Sequence, residues 1–365
     1  MKALAITHKG IEDITSLEIN ELIKTKTTTK ETCVIFEPKA FEEIALICYK
    51  AQSVKKILYL LDSFKINSLE DLKNVSKSIK EISKFITKDK TFAVRCDHIE
   101  NENLERDEIC ITTANALKLN AKVDLETPDI TIFVYIYKND CYLGIDFSGE
   151  DISKRDYRIY THYDALKGTI AYSLLRIADY KKQDIILDPF CGSGTILIEA
   201  ALFANNFSQN FYSKDKFAFL KFKEMDLEKF DLKQPFNGKI IGYDIELKYI
   251  ISAKKNAKIA GIEKSITFSR VEIKDLDIKL KEKSIDKIIT NPPNQTYKNQ
   301  RTIERAYNGF FQQANFILKN NGTITIITRT FDLIKKSAKN NKFKILKQRN
   351  LDIGKEQYEI IVFKK

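Results

Sequence analysis

Apolar and polar positions follow a regular alternation in the C-terminal half of the 365-residue chain. From Asp184 onward, short apolar runs alternate with longer stretches whose apolar residues recur every three or four positions. Such an order of strand, helix, strand, helix is typical of an α/β fold with a doubly wound parallel sheet. The pattern predicts strands at 185–187, 240–243, 266–268, 287–290 and 323–328, and helices at 195–204, 247–260 and 302–318.

The end of the chain breaks this alternation. Two apolar runs, 343–347 and 358–363, have no helical stretch between them. Strands in direct succession pair antiparallel, so we expect the last strand to enter the sheet in the antiparallel direction.

The first half of the chain has mixed α+β patterns. Apolar runs predict strands at 3–7, 34–36, 131–137 and 141–146, and helical spacing occurs at 11–22, 41–49 and 69–85. A polar and basic stretch, 148–158, then predicts a linker. A length of 365 residues, against roughly 100–200 residues per domain, also favours more than one domain.

The charge balance favours a polyanionic partner such as nucleic acid. The chain has 61 Lys and Arg against 50 Asp and Glu, a formal net charge of +11. Lys-rich chains also arise from biased genomic base composition, so charge alone leaves an RNA or DNA partner open. No apolar run approaches the ~18 residues that cross a bilayer, and we expect a cytoplasmic protein without a membrane partner.

The cysteines and histidines do not predict a metal site. None of the six cysteines has C-x-x-C spacing, and the three histidines have no ligand spacing. We therefore expect reduced thiols and assign no metal.

Two glycines mark the first site with chemistry. Gly192 and Gly194 follow a predicted strand and open a predicted helix, where the backbone can approach a ligand and the helix N-terminus can bind an anion. A dinucleotide fingerprint needs a third glycine where Leu197 stands, and a phosphate-binding P-loop needs a lysine that is absent. The carboxylate of a methionine moiety fits what remains, with Asp188 available for the ammonium group.

Acids follow the next two predicted strands. Asp244 ends one strand, at the position where a carboxylate accepts hydrogen bonds from ribose hydroxyls. Glu272 follows the next strand, where a side chain can meet an adenine edge. Because the carboxyl ends of parallel strands share one edge of the sheet, the series predicts a nucleoside cofactor.

The stretch Thr290-Asn291-Pro292-Pro293 ends the fourth predicted strand in a loop that two prolines make rigid. The Asn291 side-chain oxygen and the Pro292 carbonyl can accept hydrogen bonds from an amine on a nucleobase or amide and aim its lone pair at a methyl group. A plain turn is the alternative interpretation, since Asn-Pro often opens turns.

The C-terminal half resembles the RNA methylase family of Rossmann-fold, S-adenosylmethionine-dependent methyltransferases. The motifs that carry the resemblance are DPFCGSGTILIEAA (188–201), FAF (217–219), GYDIE (242–246), KKNAKIAGI (254–262) and TNPP (290–293). The N-terminal half resembles the ferredoxin-like plus THUMP pair of tRNA guanine-2-amino methyltransferases. Its motifs are GIEDITSLEINEL (10–22), FAVRCDH (92–98), VDLETPDITIFVYI (123–136), CYLGIDFSG (141–149) and SKRDYR (153–158).

This resemblance implies domains, an activity and site residues. The domains are a ferredoxin-like region (1–65), a THUMP RNA-binding domain (66–148), a linker (149–166) and a methyltransferase domain (167–365). The implied activity is methylation of a guanosine 2-amino group in tRNA, by a monomer, with the branch acting on guanosine 6 as the nearest match because Asn291 stands where archaeal guanosine 10 enzymes tend to have Asp. The implied cofactor is S-adenosylmethionine.

The residues assigned to each role are these. Cofactor binding is assigned to Asp188, Phe190, Gly192, Gly194, Thr195, Asp244, Glu272 and Asn291; catalysis is assigned to Asn291 and Pro292; RNA binding is assigned to Arg95, Lys154, Arg155, Arg158 and Tyr297.

Three positions depart from the family pattern. Asn294 stands where the motif usually has Tyr or Phe to stack on the flipped base, and Tyr297 is a potential substitute. Asp156 and Gly168 replace the usual glycine and proline. An RNA-binding protein with weak or lost catalysis therefore stays an alternative, as does methylation of an adenine 6-amino group or a glutamine amide.

Overall fold

The computed structural model describes residues 1–101, 104–232, 234–296, 300–353 and 356–365. Its internal contacts divide the chain into two compact units. The first unit comprises Met1–His8, Thr15–Ile152 and Ser213–Leu227, and the second comprises Lys9–Ile14, Ser153–Tyr212 and Glu228–Lys365. Among the described helices, none combines the length and apolar character that a bilayer crossing requires.

The first unit is organised around one mixed sheet. Its strands are β1 (Ala3–Ile6), β2 (Thr27–Lys30), β3 (Cys33–Phe36), β4 (Lys56–Lys65), β5 (Thr91–Ile99), β6 (Lys122–Val123), β7 (Ile130–Tyr137) and β8 (Asp140–Asp146). The connecting helices are α1 (Glu12–Ile23), α2 (Phe41–Lys50), a 3-10 helix (Leu69–Ser78), α3 (Ile79–Ile82) and α4 (Arg106–Leu117). Over the described residues the strand order is β2-β3-β1-β4-β8-β7-β5-β6. Within the described residues of this unit, only β5 pairs in parallel, with β6 and β7, and β4 pairs antiparallel with β8.

The second unit contains the predicted doubly wound sheet. Its strands are β9 (Ile185–Asp188), β10 (Lys239–Asp244), β11 (Ile266–Arg270), β12 (Ile285–Thr290), β13 (Leu318–Thr328), β14 (Lys344–Ile353) and β15 (Glu356–Lys364). Its helices are α5 (Gly168–Ile177), α6 (Thr195–Ala204), α7 (Leu247–Ile259), α8 (Leu276–Lys279), α9 (Gln300–Ile317) and α10 (Phe331–Asn340). The order is β11-β10-β9-β12-β13-β15-β14 within the described part of the chain. β15 pairs antiparallel with β13, which confirms the prediction of an antiparallel last strand.

Helices cover both faces of this second sheet because its strands are apolar on both sides. The neighbours Ile186 and Leu187 on β9 belong to different core clusters, the first with α5, α6 and α7 and the second with α8, α9 and α10. Helix α9 buries Ile303, Tyr307 and Phe310, spaced for one helical face. Each such side chain contributes about 1.5–3 kcal/mol on full burial. The layers leave the carboxyl ends of β9, β10 and β12 together at one edge.

The α/β fold class is confirmed, while several individual elements differ from the sequence prediction. Helix α5 was missed because nearly all of its residues are buried, which removes the amphipathic period. Helix α10 was missed as well, and strands β2, β4, β5 and β6 and helices α4 and α8 were not predicted either. The helix expected over 69–85 is a 3-10 helix followed by one α-helical turn, since Leu69, Leu72 and Val75 recur every three residues, the 3-10 period.

Candidate active site

Three segments line an open cleft at the carboxyl edge of the second sheet. They are the loop 162–166, the segment 188–196 that joins β9 to α6, and Asn291 after β12. Crevices at this edge are where doubly wound sheets bind ligands. The cleft is therefore the candidate active site.

Asp188 is a buried carboxylate at the base of this cleft. Only 2% of the residue is exposed, and its Oδ1 accepts hydrogen bonds from the Phe190 N–H and the Thr290 hydroxyl. Burial raises the pKa of Asp188 to about 7, although these two hydrogen bonds act in the opposite direction. A buried carboxylate of this kind is poised to accept a cation, because an ammonium group would favour its charged form.

The glycine loop after Asp188 brings backbone into close contact with neighbouring groups. Gly192 and Gly194 have φ values of +50° and +85°, in the region that favours glycine. A Cβ on Gly192 would lie 2.2 Å from Nε2 of His162, so a side chain at this position would collide. Gly194 precedes α6, whose first residue, Thr195, lines the cleft. The N-terminus of α6 thus faces the site, as expected for an anion-binding turn.

Asp244 ties the glycine loop to the end of β10. Its Oδ2 accepts the N–H of Gly192 at 2.9 Å, and its Oδ1 accepts the N–H of Glu246 at 2.9 Å. Burial raises the pKa of Asp244, and the two backbone hydrogen bonds counteract that effect. The acid predicted from its position in the sequence therefore also fixes the geometry of the loop.

Asn291 lies on the rim of the cleft, and the nitrogen and oxygen of its side-chain amide have different surroundings. Its Nδ2 donates to the carbonyl of Asp164 at 3.1 Å. Its Oδ1 is buried and has no hydrogen-bond partner among the described residues. A buried acceptor without a donor costs about 1–3 kcal/mol, so this oxygen is available for a donor from a ligand.

Two further hydrogen bonds hold the rest of the Asn-Pro-Pro loop in place. The Tyr307 hydroxyl donates to the carbonyl of Pro293 at 2.6 Å, and Asn294 Oδ1 accepts the N–H of Arg329 at 3.1 Å. Asn294 thus anchors the loop to the end of β13. This contact gives Asn294 a structural role at the position where the family motif usually has an aromatic residue.

The loop 159–166, which contains the cleft-lining residues 162–166, forms the third side of the cleft. Several hydrogen bonds and an ion pair hold it in place. Tyr160 exchanges two backbone hydrogen bonds with the side chain of Asn256, at 2.9 and 3.1 Å. Asp164 forms an ion pair of 3.0 Å with Arg329, in addition to its contact with Asn291. His162 accepts the N–H of Asp164 at Nδ1, which makes Nε2 the protonated nitrogen of a neutral ring. Burial lowers the pKa of His162.

The structure gathers most of the predicted cofactor residues and leaves one apart. Asp188, Phe190, Thr195 and Asn291 line the cleft. Gly192, Gly194 and Pro292 lie in the adjoining loops, and Asp244, at the end of β10, is bonded to Gly192. Glu272 follows β11, two strands from β9, and its half-exposed carboxylate pairs with Lys274 at 2.7 Å. Sequence reasoning missed His162, Asp164, Thr290 and Arg329, which reach the site through contacts distant in sequence.

The assignment of Arg155 to RNA binding is wrong. Its side chain is fully buried, and its Nε donates to Glu199 Oε1 at 2.7 Å. The Tyr157 hydroxyl donates to the same oxygen at 2.7 Å. A buried guanidinium that is paired with a carboxylate cannot reach a phosphate, so Arg155 is part of the core beneath α5 and α6.

The other residues assigned to RNA binding have different settings. Lys154 is exposed, whereas Arg158 is half-buried and donates to the carbonyl of Ala165 at 3.2 Å. Arg95 borders an open cleft in the first unit, between α4, β5 and β6, together with Arg106, a residue that the sequence did not single out. Tyr297 lies outside the described residues.

The doubly wound sheet, its antiparallel last strand, and its glycine loop with Asp188 before it and Asp244 bonded to it define a Rossmann-like methyltransferase. Residues 155–359 match the model of the RMKL-like methyltransferase domain family, and the chain belongs to this family. Residues 67–146 match the model of the THUMP domain. The family implies S-adenosylmethionine as the methyl donor.

Two curated relatives extend over nearly the whole chain. The tRNA (guanine(6)-N2)-methyltransferase of Methanocaldococcus jannaschii is 28% identical over 364 residues, covering 94% of this chain and 95% of the relative. The enzyme of the same name from Archaeoglobus fulgidus is 27% identical over 365 residues, covering 97% of this chain and 90% of the relative.

Solved structures agree on the fold. A structure described as "a possible methylase" from Clostridium difficile 630 has a TM-score of 0.83 at 23% identity and covers 100% of this chain and 97% of its own. The structure of SMU.472, complexed with SAH, has a TM-score of 0.81 at 20% identity, with 100% and 97% coverage.

Proposed function

We propose that this protein transfers a methyl group from S-adenosylmethionine to the exocyclic 2-amino group of a guanosine in tRNA. The observation that carries the proposal is the buried Oδ1 of Asn291, which has no donor among the described residues and lies at the rim of the cleft above Asp188. An amine attached to a purine ring supplies the missing donor.

The residues around the cleft fit the proposed cofactor. S-adenosylmethionine, when bound, supplies an electrophilic methyl group on its sulfonium. Asp188 would hold the ammonium group. Burial raises the pKa of this carboxylate, and a positive partner would stabilise its charged form. The N-terminus of α6, reached through Gly192 and Gly194, would hold the carboxylate. Asp244 is the proposed ribose ligand and Glu272 the proposed adenine ligand.

Asn291 and Pro292 would position the amine. A purine 2-amino group is a weak nucleophile because its lone pair is delocalised into the ring. Two acceptors, Asn291 Oδ1 and the Pro292 carbonyl, would hold its two hydrogens and direct the lone pair out of the ring plane. The anchors on Asn291, Pro293 and Asn294 keep this loop rigid, so little reorganisation is needed. The proton leaves the amine after methyl transfer, by way of these acceptors or water.

The THUMP domain and nearby basic residues support a structured RNA as the substrate. Arg95 and Arg106 border an open cleft of about 710 Å³ in the first unit, and Lys154 is exposed. Guanidinium and ammonium groups of this kind bind phosphates. We extend the proposal to guanosine 6, in the acceptor-stem region, on the names of the two archaeal relatives. We further propose a cytoplasmic monomer with the domain boundaries given above.

A transfer assay tests the function. Purified protein, radiolabelled S-adenosylmethionine and unmodified tRNA should give labelled tRNA, and Asn291→Ala should give none under the same conditions. Absence of transfer by a wild-type protein that still binds S-adenosylhomocysteine and tRNA would favour an RNA-binding protein that has lost catalysis. Methyladenosine or a methylated protein amide in the product would favour the other amino-methyltransferase alternatives.

A further inference from the structure

Tyr163 is the most exposed large side chain in the loop that closes the active-site cleft. It is 92% exposed, while its neighbours His162 and Asp164 both line the cleft. No ring contact or hydrogen bond of the Tyr163 side chain occurs within the described part of the chain. An aromatic ring held in solvent at the rim of a nucleotide site is suited to stacking on a base.

The backbone that carries Tyr163 is fixed beside the proposed amine-binding oxygen. The carbonyl of Asp164, one residue away, accepts the amide of Asn291 at 3.1 Å, and the carboxylate of Asp164 pairs with Arg329 at 3.0 Å. On the other side, Tyr160 is bound to Asn256 by two hydrogen bonds. Anchors on both sides limit the entropy lost when the ring orders against a base.

Other aromatic rings near the same edge are engaged. The ring of Tyr160 has Lys255 Nζ at 4.6 Å from its centroid, and the ring of Phe331 has Lys335 Nζ at 5.4 Å. Position 294, directly after the two prolines, holds an asparagine that is bonded to the backbone of Arg329. The ring of Phe190, which lines the cleft, packs on Phe310 at 5.6 Å between centroids. Among the described residues of this edge, Tyr163 therefore has the most exposed ring.

We propose that Tyr163 is the stacking platform for the target guanine, opposite the acceptors on Asn291 and Pro292. This inference rests on the proposed function. Enzymes that modify a base take it out of the helical stack and recover the lost stacking on protein side chains. Tyr163 supplies that ring from the loop 159–166, one residue from the Asp164 carbonyl that binds Asn291.

Three variants test the role. Tyr163→Ala removes the ring, Tyr163→Phe keeps it without the hydroxyl, and Tyr212→Ala is a matched control. Tyr212 is 69% exposed and packs against Gly261, after the end of α7 and before β11, at the opposite edge of the sheet. We expect Tyr163→Ala to lower kcat/KM for tRNA by roughly 10–100-fold, from the stacking lost on one base. Tyr163→Phe and Tyr212→Ala should stay near wild type.

Two further readouts separate stacking from a structural effect. Affinity for S-adenosylhomocysteine should be the same in all three variants and the wild type, and the thermal midpoint should be unchanged in the two Tyr163 variants. With 2-aminopurine in place of the methylated guanosine, fluorescence of the bound tRNA should be low with wild type and Tyr163→Phe, where the flipped base stacks on the ring, and should rise on binding to Tyr163→Ala, where the flipped base has no ring to stack on.

The outcomes distinguish the two proposals. If wild type methylates tRNA and Tyr163→Ala is equally active, the stacking role is overturned and the function stands. Equal losses in Tyr163→Ala and Tyr163→Phe also overturn it, because the hydroxyl and not the ring would then matter. If Tyr163→Ala is unstable, the 2-aminopurine fluorescence of the Tyr163→Phe complex is compared with that of the wild-type complex. Bright 2-aminopurine in either complex contradicts stacking. If wild type methylates no tRNA, the function fails and the inference fails with it.

Discussion

The Thr290 hydroxyl donates a hydrogen bond of 2.5 Å to Oδ1 of Asp188. β9 and β12 are parallel neighbours, with Ile288 opposite Leu187, so their carboxyl ends place these two side chains together. The bond joins the residue before the Asn-Pro-Pro loop to the proposed ammonium ligand. Cofactor binding and amine positioning thus share one contact.

Thr290→Val should weaken cofactor binding. The variant keeps the shape of the side chain but removes a hydrogen bond that lowers the pKa of Asp188, so the charged carboxylate that binds the cofactor forms less readily. Near neutral pH, affinity should fall by up to about 10-fold for each unit by which this pKa rises. Isothermal calorimetry with S-adenosylhomocysteine at pH 7.5 measures the change. Thr325→Val is the matched control, because Thr325 is fully buried on the adjacent strand β13 and its hydroxyl has no partner among the described residues. Equal affinity in both variants would contradict the role of the Thr290 bond.

Cofactor affinity should depend on pH through Asp188. Burial raises the pKa of this group to about 7, so below that pH the carboxyl is neutral and must release a proton when an ammonium group binds. Affinity should rise by up to about 10-fold per pH unit toward pH 7 and then level off. Calorimetry in two buffers of different ionisation enthalpy detects the released proton. A flat profile across pH 6 to 8 would show that Asp188 is already ionised.

The same pKa predicts a stability effect of opposite sign in the protein without cofactor. A raised pKa in the folded state means that the stabilisation is complete below the unfolded value near 3.8 and is lost as the pH rises through about 7. The Asp188→Asn side chain cannot ionise, so this loss of stability does not occur in the variant. Above pH 7 the variant should be more stable than the wild type by roughly 4 kcal/mol. It should not bind the cofactor. Chemical denaturation of both proteins at pH 4.5 and 8 measures the difference, which should be small at the lower pH.

Asn291→Ala should separate catalysis from folding. Removing the acceptor of the target amine should lower kcat by about 100-fold or more, the scale seen for single groups that orient reacting atoms. The thermal midpoint should change little, because the variant also deletes a buried oxygen that has no partner. Asn291→Asp is the informative second variant, since it keeps an acceptor but loses the donor to Asp164. Wild-type turnover in Asn291→Ala would refute the amine-holding role.

Lys154 and Arg155 are consecutive basic residues with different predicted effects. Arg155→Ala leaves Glu199 buried without its guanidinium partner and should cost about 3–5 kcal/mol of stability. Lys154→Ala should leave stability unchanged, reduce tRNA affinity and lower the salt dependence of binding by about one unit of slope. Thermal denaturation and tRNA binding at several salt concentrations test both. Unchanged stability in Arg155→Ala would contradict the buried ion pair.

The sequence predicted those parts of the site whose chemistry is local. Asp188, Gly192 and Asn291 each lie in a short motif directly after a strand, so their position follows from the order of elements alone. The partners of those residues could not be predicted in this way. Asp164 meets Asn291 across 127 positions and Arg329 across 165, contacts that only the folded sheet creates.

Arg155 illustrates the same limit in a prediction that was wrong. A basic cluster in a polar stretch has the pattern of an RNA-binding surface, and burial cannot be read from that pattern. Glu199, 44 positions further along the chain, neutralises the guanidinium within the core. The structural role of Asn294 could not be predicted from the sequence either, because its partner is the backbone N–H of Arg329, directly after β13.

Nucleoside analysis of the methylated tRNA tests the central claim most directly. tRNA from a strain that lacks the gene, incubated with the purified protein and S-adenosylmethionine, should gain N2-methylguanosine in wild-type reactions and none with Asn291→Ala. Fragment mapping should place the new methyl group in the acceptor stem. Methyladenosine as the product, or transfer by wild type and Asn291→Ala alike, would contradict the account.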